Sequence, residues 1–204
     1  MIPYLQTTKF TTAASALLSI LHNVNNTVLL NKVEELNIWH ETVNLPTRGS
    51  SIYALASYAH KKGLNPIVVV EEIEFNFPDY RFYRYTKEEV DLAAISEKRH
   101  LNKAKKENIK IEKREIKLKE IKKEIIDNKI LLLRINTKPI RGDKRNTSNF
   151  IVVYDYKNSH FQIIDPKWGA FSISEEKMSE AFETLETKKH RDHRMIIFEK
   201  DKSQ

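Results

Sequence analysis

The side chains that could serve as nucleophiles or metal ligands limit the chemistry open to this chain of 204 residues. It contains no cysteine, which excludes disulfides, thiolate metal ligands and a thiol nucleophile. His190 and His193 flank Asp192 and are of metal-binding types, but on a strand they would point to opposite faces. We therefore predict no metal site and no other cofactor.

Several short motifs follow one another in a recognisable order. Gln6 is followed six residues later by Thr12, which begins an apolar helix after Thr11. The later motifs are Ile38-Trp39-His40-Glu41-Thr42, Arg48-Gly49-Ser50, Asn149-Phe150-Ile151-Val152-Val153 and Ile163-Ile164-Asp165-Pro166. Together they resemble the bacteriocin-processing cysteine peptidases, which have a papain-like fold. The resemblance covers nearly the whole chain.

The resemblance implies a role for each of several positions. In the family a cysteine at a helix N-terminus is the nucleophile, and the helix dipole stabilises its thiolate. A strand histidine accepts the proton, a carboxylate on the next strand orients its ring, and a glutamine donates to the oxyanion. The equivalent positions here are Thr12, Asn149, Asp165 and Gln6. The resemblance also implies a substrate-binding role for Trp39, Glu41 and Arg48.

Two of these positions have lost the residue type that the chemistry needs. Thr12 replaces the cysteine, and a helix dipole worth about 0.3–1 kcal/mol cannot ionise a threonine hydroxyl. Asn149 replaces the histidine, and an amide has no basic nitrogen. The two replacements together predict a pseudopeptidase that binds a peptide segment or a partner protein in a retained cleft.

An enzyme with a displaced base is the alternative. If the late hairpin turns at Lys157-Asn158, Asn149 lies diagonal to Asp165. His160 is then about 16 Å from Asp165 along its strand at roughly 3.3 Å per residue. His22 is about 15 Å from Thr12 along its helix at 1.5 Å per residue. His40 and His60 are placed only by tertiary packing, so an amide hydrolase or acyl-transfer enzyme that uses Thr12 stays open.

Charge and hydropathy give expectations about partners and location. The formal charge is +7, from 35 Lys and Arg against 28 Asp and Glu. Lys and Glu are mixed closely between Lys103 and Lys129, which is typical of a solvated face. We therefore do not expect a nucleic-acid partner, because a nucleic-acid or membrane-surface function would rest on charge alone. The N-terminus lacks the order of a signal peptide and no apolar run is long enough to span a membrane, so we expect a cytoplasmic protein.

The periodicity of the chain predicts one α+β domain over residues 1–204, with N-terminal helices packed on a C-terminal antiparallel sheet. The predicted helices are Thr11–Asn23, with Thr11 or Thr12 as its cap, and Asn31–His40, Ser50–Lys62, Lys87–Lys106, Leu118–Ile126 and Glu175–Thr187. The predicted strands are Ile67–Val70, Ile109–Ile116, Ile130–Ile135, Phe150–Tyr154, His160–Ile164 and Met195–Phe198. An aromatic loop is expected at Asn76–Tyr85.

Overall fold

The computed structural model describes residues 1–75, 85–185 and 192–200. Within these ranges the helices are α1 Thr12–Val24, α2 Lys32–Thr42, α3 Ile52–Lys61, α4 Lys87–Lys106, α5 Leu118–Ile126, α6 Lys138–Arg141 and α7 Glu175–Glu183. The strands are β1 Val43–Asn44, β2 Gly49–Ser50, β3 Ile67–Val70, β4 Lys110–Lys113, β5 Lys129–Asn136, β6 Ser148–Lys157, β7 His160–Asp165, β8 Gly169–Ser174 and β9 Arg194–Glu199.

Side-chain caps define the start of most of the longer helices. The side chains of Asn31, Ser51, Thr86 and Ser174 each accept a hydrogen bond from a first-turn N–H, at α2, α3, α4 and α7. α1 is different. Thr11 occupies its N-cap position but makes no side-chain cap bond, so the predicted threonine cap is wrong.

One seven-stranded sheet contains all the longer strands, in the order β4-β3-β9-β5-β6-β7-β8. Every neighbouring pair is antiparallel except β3 and β4, which run parallel. β3 comes from the first half of the chain and β4 from just past its midpoint, so the sheet is not built from C-terminal residues alone. The predicted α+β class with a mostly antiparallel sheet is confirmed.

Helices cover both faces of this sheet, and the alternation of strand side chains fills two cores. On one face Leu132, Val152 and Ile196 pack against α1 and α3. On the other face Leu133, Ile151 and Ile163 pack against α5 and α7. Because successive strand residues point to opposite faces, the apolar runs that predicted buried strands supply both cores at once.

The ends of strands β6 and β7 depend on a turn and a bulge. Asn158 and Ser159 both have positive φ and form the two-residue turn between these strands, one residue later than expected. The pairing shifts at a bulge between Val153 and Asp155, after which Val152 pairs with Ile164. Asp165 is the last residue of β7 and follows this pair directly, so it lies at the same end of the two strands as Asn149.

Four elements were absent from the sequence prediction, namely the short strands β1 and β2, the single-turn helix α6 and the strand β8. Residues 76–84 of the expected aromatic loop lie outside the described residues, as do 186–187 of the predicted last helix. No helix in the described ranges is long and apolar enough to cross a membrane.

Candidate functional site

A cavity of about 350 Å³ lies where α1 meets the ends of three inner strands of the sheet. The first turn of α1, strands β1 and β2, helix α4 and the ends of β5, β6 and β9 surround it. Thr12 and Asn149, the positions equivalent to the nucleophile and the base of the peptidases, both line this cavity. Gln6 and Asp165 are not among its lining residues. Gln6 bonds directly to Thr12, whereas Asp165 is joined to Asn149 only through Arg141.

The Thr12 hydroxyl is bonded to an amide oxygen. Its Oγ1 donates to Gln6 Oε1 at 2.9 Å, and Gln6 Nε2 donates to the carbonyl oxygen of Thr8 at 2.8 Å. The backbone N–H of Gln6 donates to Pro166 O at 2.7 Å, which joins this segment to the end of β7. An amide oxygen cannot take a proton from a hydroxyl at neutral pH, so this bond positions Thr12 without activating it.

The Asp165 carboxylate is fully buried and is held by Arg141 of α6. Arg141 Nε donates to Oδ2 at 2.8 Å and Nη2 donates to Oδ1 at 2.9 Å. The backbone N–H of Lys167 also donates to Oδ1, at 2.7 Å. The ion pair is therefore bidentate and engages both carboxylate oxygens. It persists at any relevant pH, because a guanidinium stays charged.

Asn149 belongs to the same hydrogen-bond network. In the amide orientation that satisfies both polar atoms, its oxygen accepts from Arg141 Nη1 at 3.2 Å and its nitrogen donates to Ser148 O at 3.3 Å. Arg141 therefore bonds to both Asn149 and Asp165, at the place where the resemblance expected a contact between a base and its orienting carboxylate. The sequence contains no signal for this role of Arg141, because a single-turn helix has no periodic pattern.

Of the three residues expected to bind substrate, Trp39 and Arg48 lie together and Glu41 lies apart. Arg48 lines the cavity, and its guanidinium lies 5.8 Å from the centre of the Phe10 ring. Trp39 lies behind Phe10, with ring centres 4.7 Å apart, and its Nε1 donates to Arg48 O at 3.3 Å. Glu41 does not line the cavity, and its side chain forms an exposed ion pair with Lys61 at 3.0 Å.

No histidine in the described part of the chain lines the cavity. His60 Nδ1 lies 3.3 Å from Leu64 O, and His40 is exposed at the end of α2. His193 is buried between Glu71 and the carbonyl oxygen of Phe182. His190 lies outside the described residues. The structure thus places neither His40 nor His60 beside Thr12.

Comparison with known proteins gives the family. A family model described as Peptidase C39-like matches residues 2–204. The chain belongs to the Peptidase C39-like family. The resemblance predicted from the motifs is therefore confirmed.

One solved structure similar to this C39-like protein is a double glycine motif protease from an AMS/PCAT transporter, in complex with the leader peptide. It is 13% identical, with a TM-score of 0.49, over 98% of this chain and 92% of that chain. No curated protein matches the chain.

A buried glutamate of this C39-like protein holds the N-terminal segment against the start of α1 through hydrogen bonds. Glu35 of α2 is fully buried and accepts hydrogen bonds from Thr7 N at 2.9 Å, Ser15 Oγ at 2.8 Å and Tyr4 Oη at 3.1 Å, and from the hydroxyls of Thr7 and Thr11. Burial acts to raise the pKa of the Glu35 carboxyl, but the hydrogen bonds from Thr11, Thr7 and Ser15 outweigh it and hold this pKa below its ordinary value.

The Glu35 network also explains the missing cap of α1. The Thr11 hydroxyl bonds to Glu35 instead of a first-turn N–H. The sequence shows an ordinary glutamate in an amphipathic helix, and only the packing of α2 on the N-terminal segment reveals its burial.

Proposed function

We propose that this C39-like protein is a pseudopeptidase that binds a peptide segment, from a free peptide or a partner protein, in the cavity beside Thr12 without cleaving it. One observation supports this proposal above the others, namely the ion pair between Arg141 and the buried Asp165. The carboxylate that would orient a catalytic imidazole is instead bound to a permanent cation.

The surroundings of Thr12 agree with this proposal. A threonine nucleophile needs a neighbouring general base within about 2.6–3.2 Å. The bond from Thr12 Oγ1 goes to Gln6 Oε1 at 2.9 Å, and an amide oxygen is not such a base. The cavity side chains of the described residues that carry a charged or phenolic group are Lys9, Arg48, Tyr85, Glu97, Arg134 and Arg194.

The one carboxylate among these side chains is already engaged. Glu97 accepts from Asn44 at 2.6 Å and lies 3.6 Å from Arg194. Both of its carboxylate oxygens already have partners within the protein, and the Thr12 hydroxyl bonds to Gln6 instead. Glu97 is therefore a poor substitute for the missing histidine.

The cavity has the size and lining of a binding site. Its volume of about 350 Å³ lies within the usual range for ligand pockets, about 300–1,000 Å³. Phe10, Phe75 and Tyr85 give it apolar surface beside its charged groups. A cleft that combines aromatic surface with a few fixed polar groups suits a short peptide segment.

The proposal is tested by turnover and binding together. Wild-type protein should not cleave a pool of internally quenched peptides. Thr12→Ala should keep the peptide binding of the wild type, because the hydroxyl would contribute no chemistry. Thr27→Ala, in an exposed loop, is the matched control.

One result would instead establish the alternative. Wild-type turnover that disappears in Thr12→Ala and persists in Thr27→Ala would identify an amide hydrolase or acyl-transfer enzyme with Thr12 as nucleophile.

A further inference from the structure

The mouth of the cavity contains positive charge that the described residues do not balance. Lys9 and Arg48 line it at the side of α1, and no carboxylate in the described ranges forms an ion pair with either. Arg48 has a φ of 62°, a conformation uncommon for a residue with a side chain. The Phe10 ring lies 5.8 Å from its guanidinium.

The inner wall of the cavity is different, because its charges are balanced. Arg194 Nε donates to Asp192 Oδ2 at 2.8 Å, and its Nη1 lies 3.6 Å from Glu97 Oε1. Arg134 Nη1 lies 3.4 Å from Asp192 Oδ1. Two cations therefore face two carboxylates, and the unbalanced positive charge of the cavity lies with Lys9 and Arg48.

The start of α1 faces the same space. Thr12 and Ala13 line the cavity, no side chain caps the helix and its first turn contains no acidic residue. First-turn N–H groups have no partner within a helix, and the helix dipole is positive at this end. An anion between Lys9 and Arg48 would therefore also meet the N-terminus of a 13-residue helix.

We propose that the cavity binds a peptide through a carboxylate, held by Lys9, Arg48 and the N-terminus of α1. A peptide also has apolar groups to pack on the cavity surface that Phe10, Phe75 and Tyr85 supply, whereas inorganic phosphate has none. The carboxylate is the free C-terminus of the peptide or an Asp or Glu side chain. This inference rests on the proposed peptide-binding function.

The test compares three pools of random hexapeptides. The first has free C-termini and no Asp or Glu, the second is the same pool with amidated C-termini, and the third is amidated but contains one Glu per peptide. Each pool is equilibrated with the full chain, and retained peptides are quantified by ultrafiltration and mass spectrometry. The first or third pool should be retained at least about tenfold more than the second, because charge-assisted hydrogen bonds are the stronger ones.

The two carboxylate-containing pools distinguish the sources. Stronger retention of the first pool than of the third assigns the site to a C-terminus, and the reverse order assigns it to a side chain. Either result supports the proposal.

Paired substitutions locate the site. Lys9→Ala combined with Arg48→Ala should lower retention of the preferred pool about tenfold or more. Lys110→Ala combined with Lys113→Ala removes the same charge from β4, at the far edge of the sheet, and should leave retention unchanged.

Three results would contradict the proposal in different ways. Retention of no pool would refute peptide binding itself. Equal retention of all three pools would leave peptide binding in place and refute the carboxylate assignment. Displacement of the preferred pool by inorganic phosphate, but not by acetate at equal ionic strength, would show a phosphate site instead.

Discussion

Removing the Arg141 side-chain charge should destabilise this protein strongly. In Arg141→Met the fully buried Asp165 carboxylate loses a partner that bonds to both of its oxygens, at 2.8 and 2.9 Å. Breaking a buried ion pair by removing one partner costs about 3–5 kcal/mol, because the remaining charge is uncompensated. That is a large part of a typical unfolding free energy of about 5–15 kcal/mol. For a chain of this size, Tm should fall by about 6–20 °C.

The assay is urea unfolding at pH 7, followed by circular dichroism and analysed by linear extrapolation. Arg141→Met, Asp165→Asn and the double variant form a cycle. The double variant should recover most of the stability lost in Arg141→Met, since it buries no charge at either position. Arg145→Met changes an exposed arginine in the same connection and should shift the unfolding free energy by less than about 0.5 kcal/mol.

A loss below about 1 kcal/mol in Arg141→Met, or no coupling in the cycle, would refute this reasoning. It would mean that Arg141 does not compensate Asp165. The main support for the pseudopeptidase proposal would then be gone.

The other predictions concern Glu35, Arg48 and the pair at positions 12 and 149. Because folding lowers the pKa of Glu35, the ionised carboxylate stabilises the folded protein above the ordinary glutamate pKa of about 4.3, and this stabilisation is lost as the pH falls through the lower folded value. Glu35→Gln should therefore lower the free energy of unfolding, measured in urea, by about 2 kcal/mol at pH 7 and by less in acid. A loss independent of pH would contradict this. Arg48→Gly should weaken peptide retention while the unfolding free energy changes by less than about 1 kcal/mol, because glycine adopts the positive φ without strain; a larger loss of stability would make Arg48 a structural residue. Thr12→Cys with Asn149→His should react with iodoacetamide at pH 6.5 no more than severalfold faster than Thr12→Cys alone, because Arg141 would hold a cation beside the new imidazole. A much larger acceleration would show that the histidine and thiol form an ion pair despite Arg141.

The long elements were predictable from local sequence. The helix predicted at Lys87–Lys106 and the strand predicted at Ile67–Val70 have the observed bounds, because periodicity and β-branched runs are properties of neighbouring residues. Strand β8 has the sequence Gly-Ala-Phe-Ser-Ile-Ser, which contains no apolar run long enough to predict a strand. It forms because β7 pairs with it along its whole length. The turn at Asn158-Ser159 and the bulge after Val153 depend on how two strands pair, which local patterns do not specify.

The sequence by itself determined what this protein lacks and which family it resembles. The absence of cysteine and the residues at positions 12 and 149 exclude the thiol–imidazole pair, because residue identity alone sets the available chemistry. Only the tertiary structure decided what surrounds these positions. It brings Arg141 to Asp165, Glu35 to Thr11 and Arg48 to the mouth of the cavity, while it leaves Glu41 outside. Ion pairs and buried hydrogen bonds join residues far apart in the chain, and the packing of whole elements sets their distances.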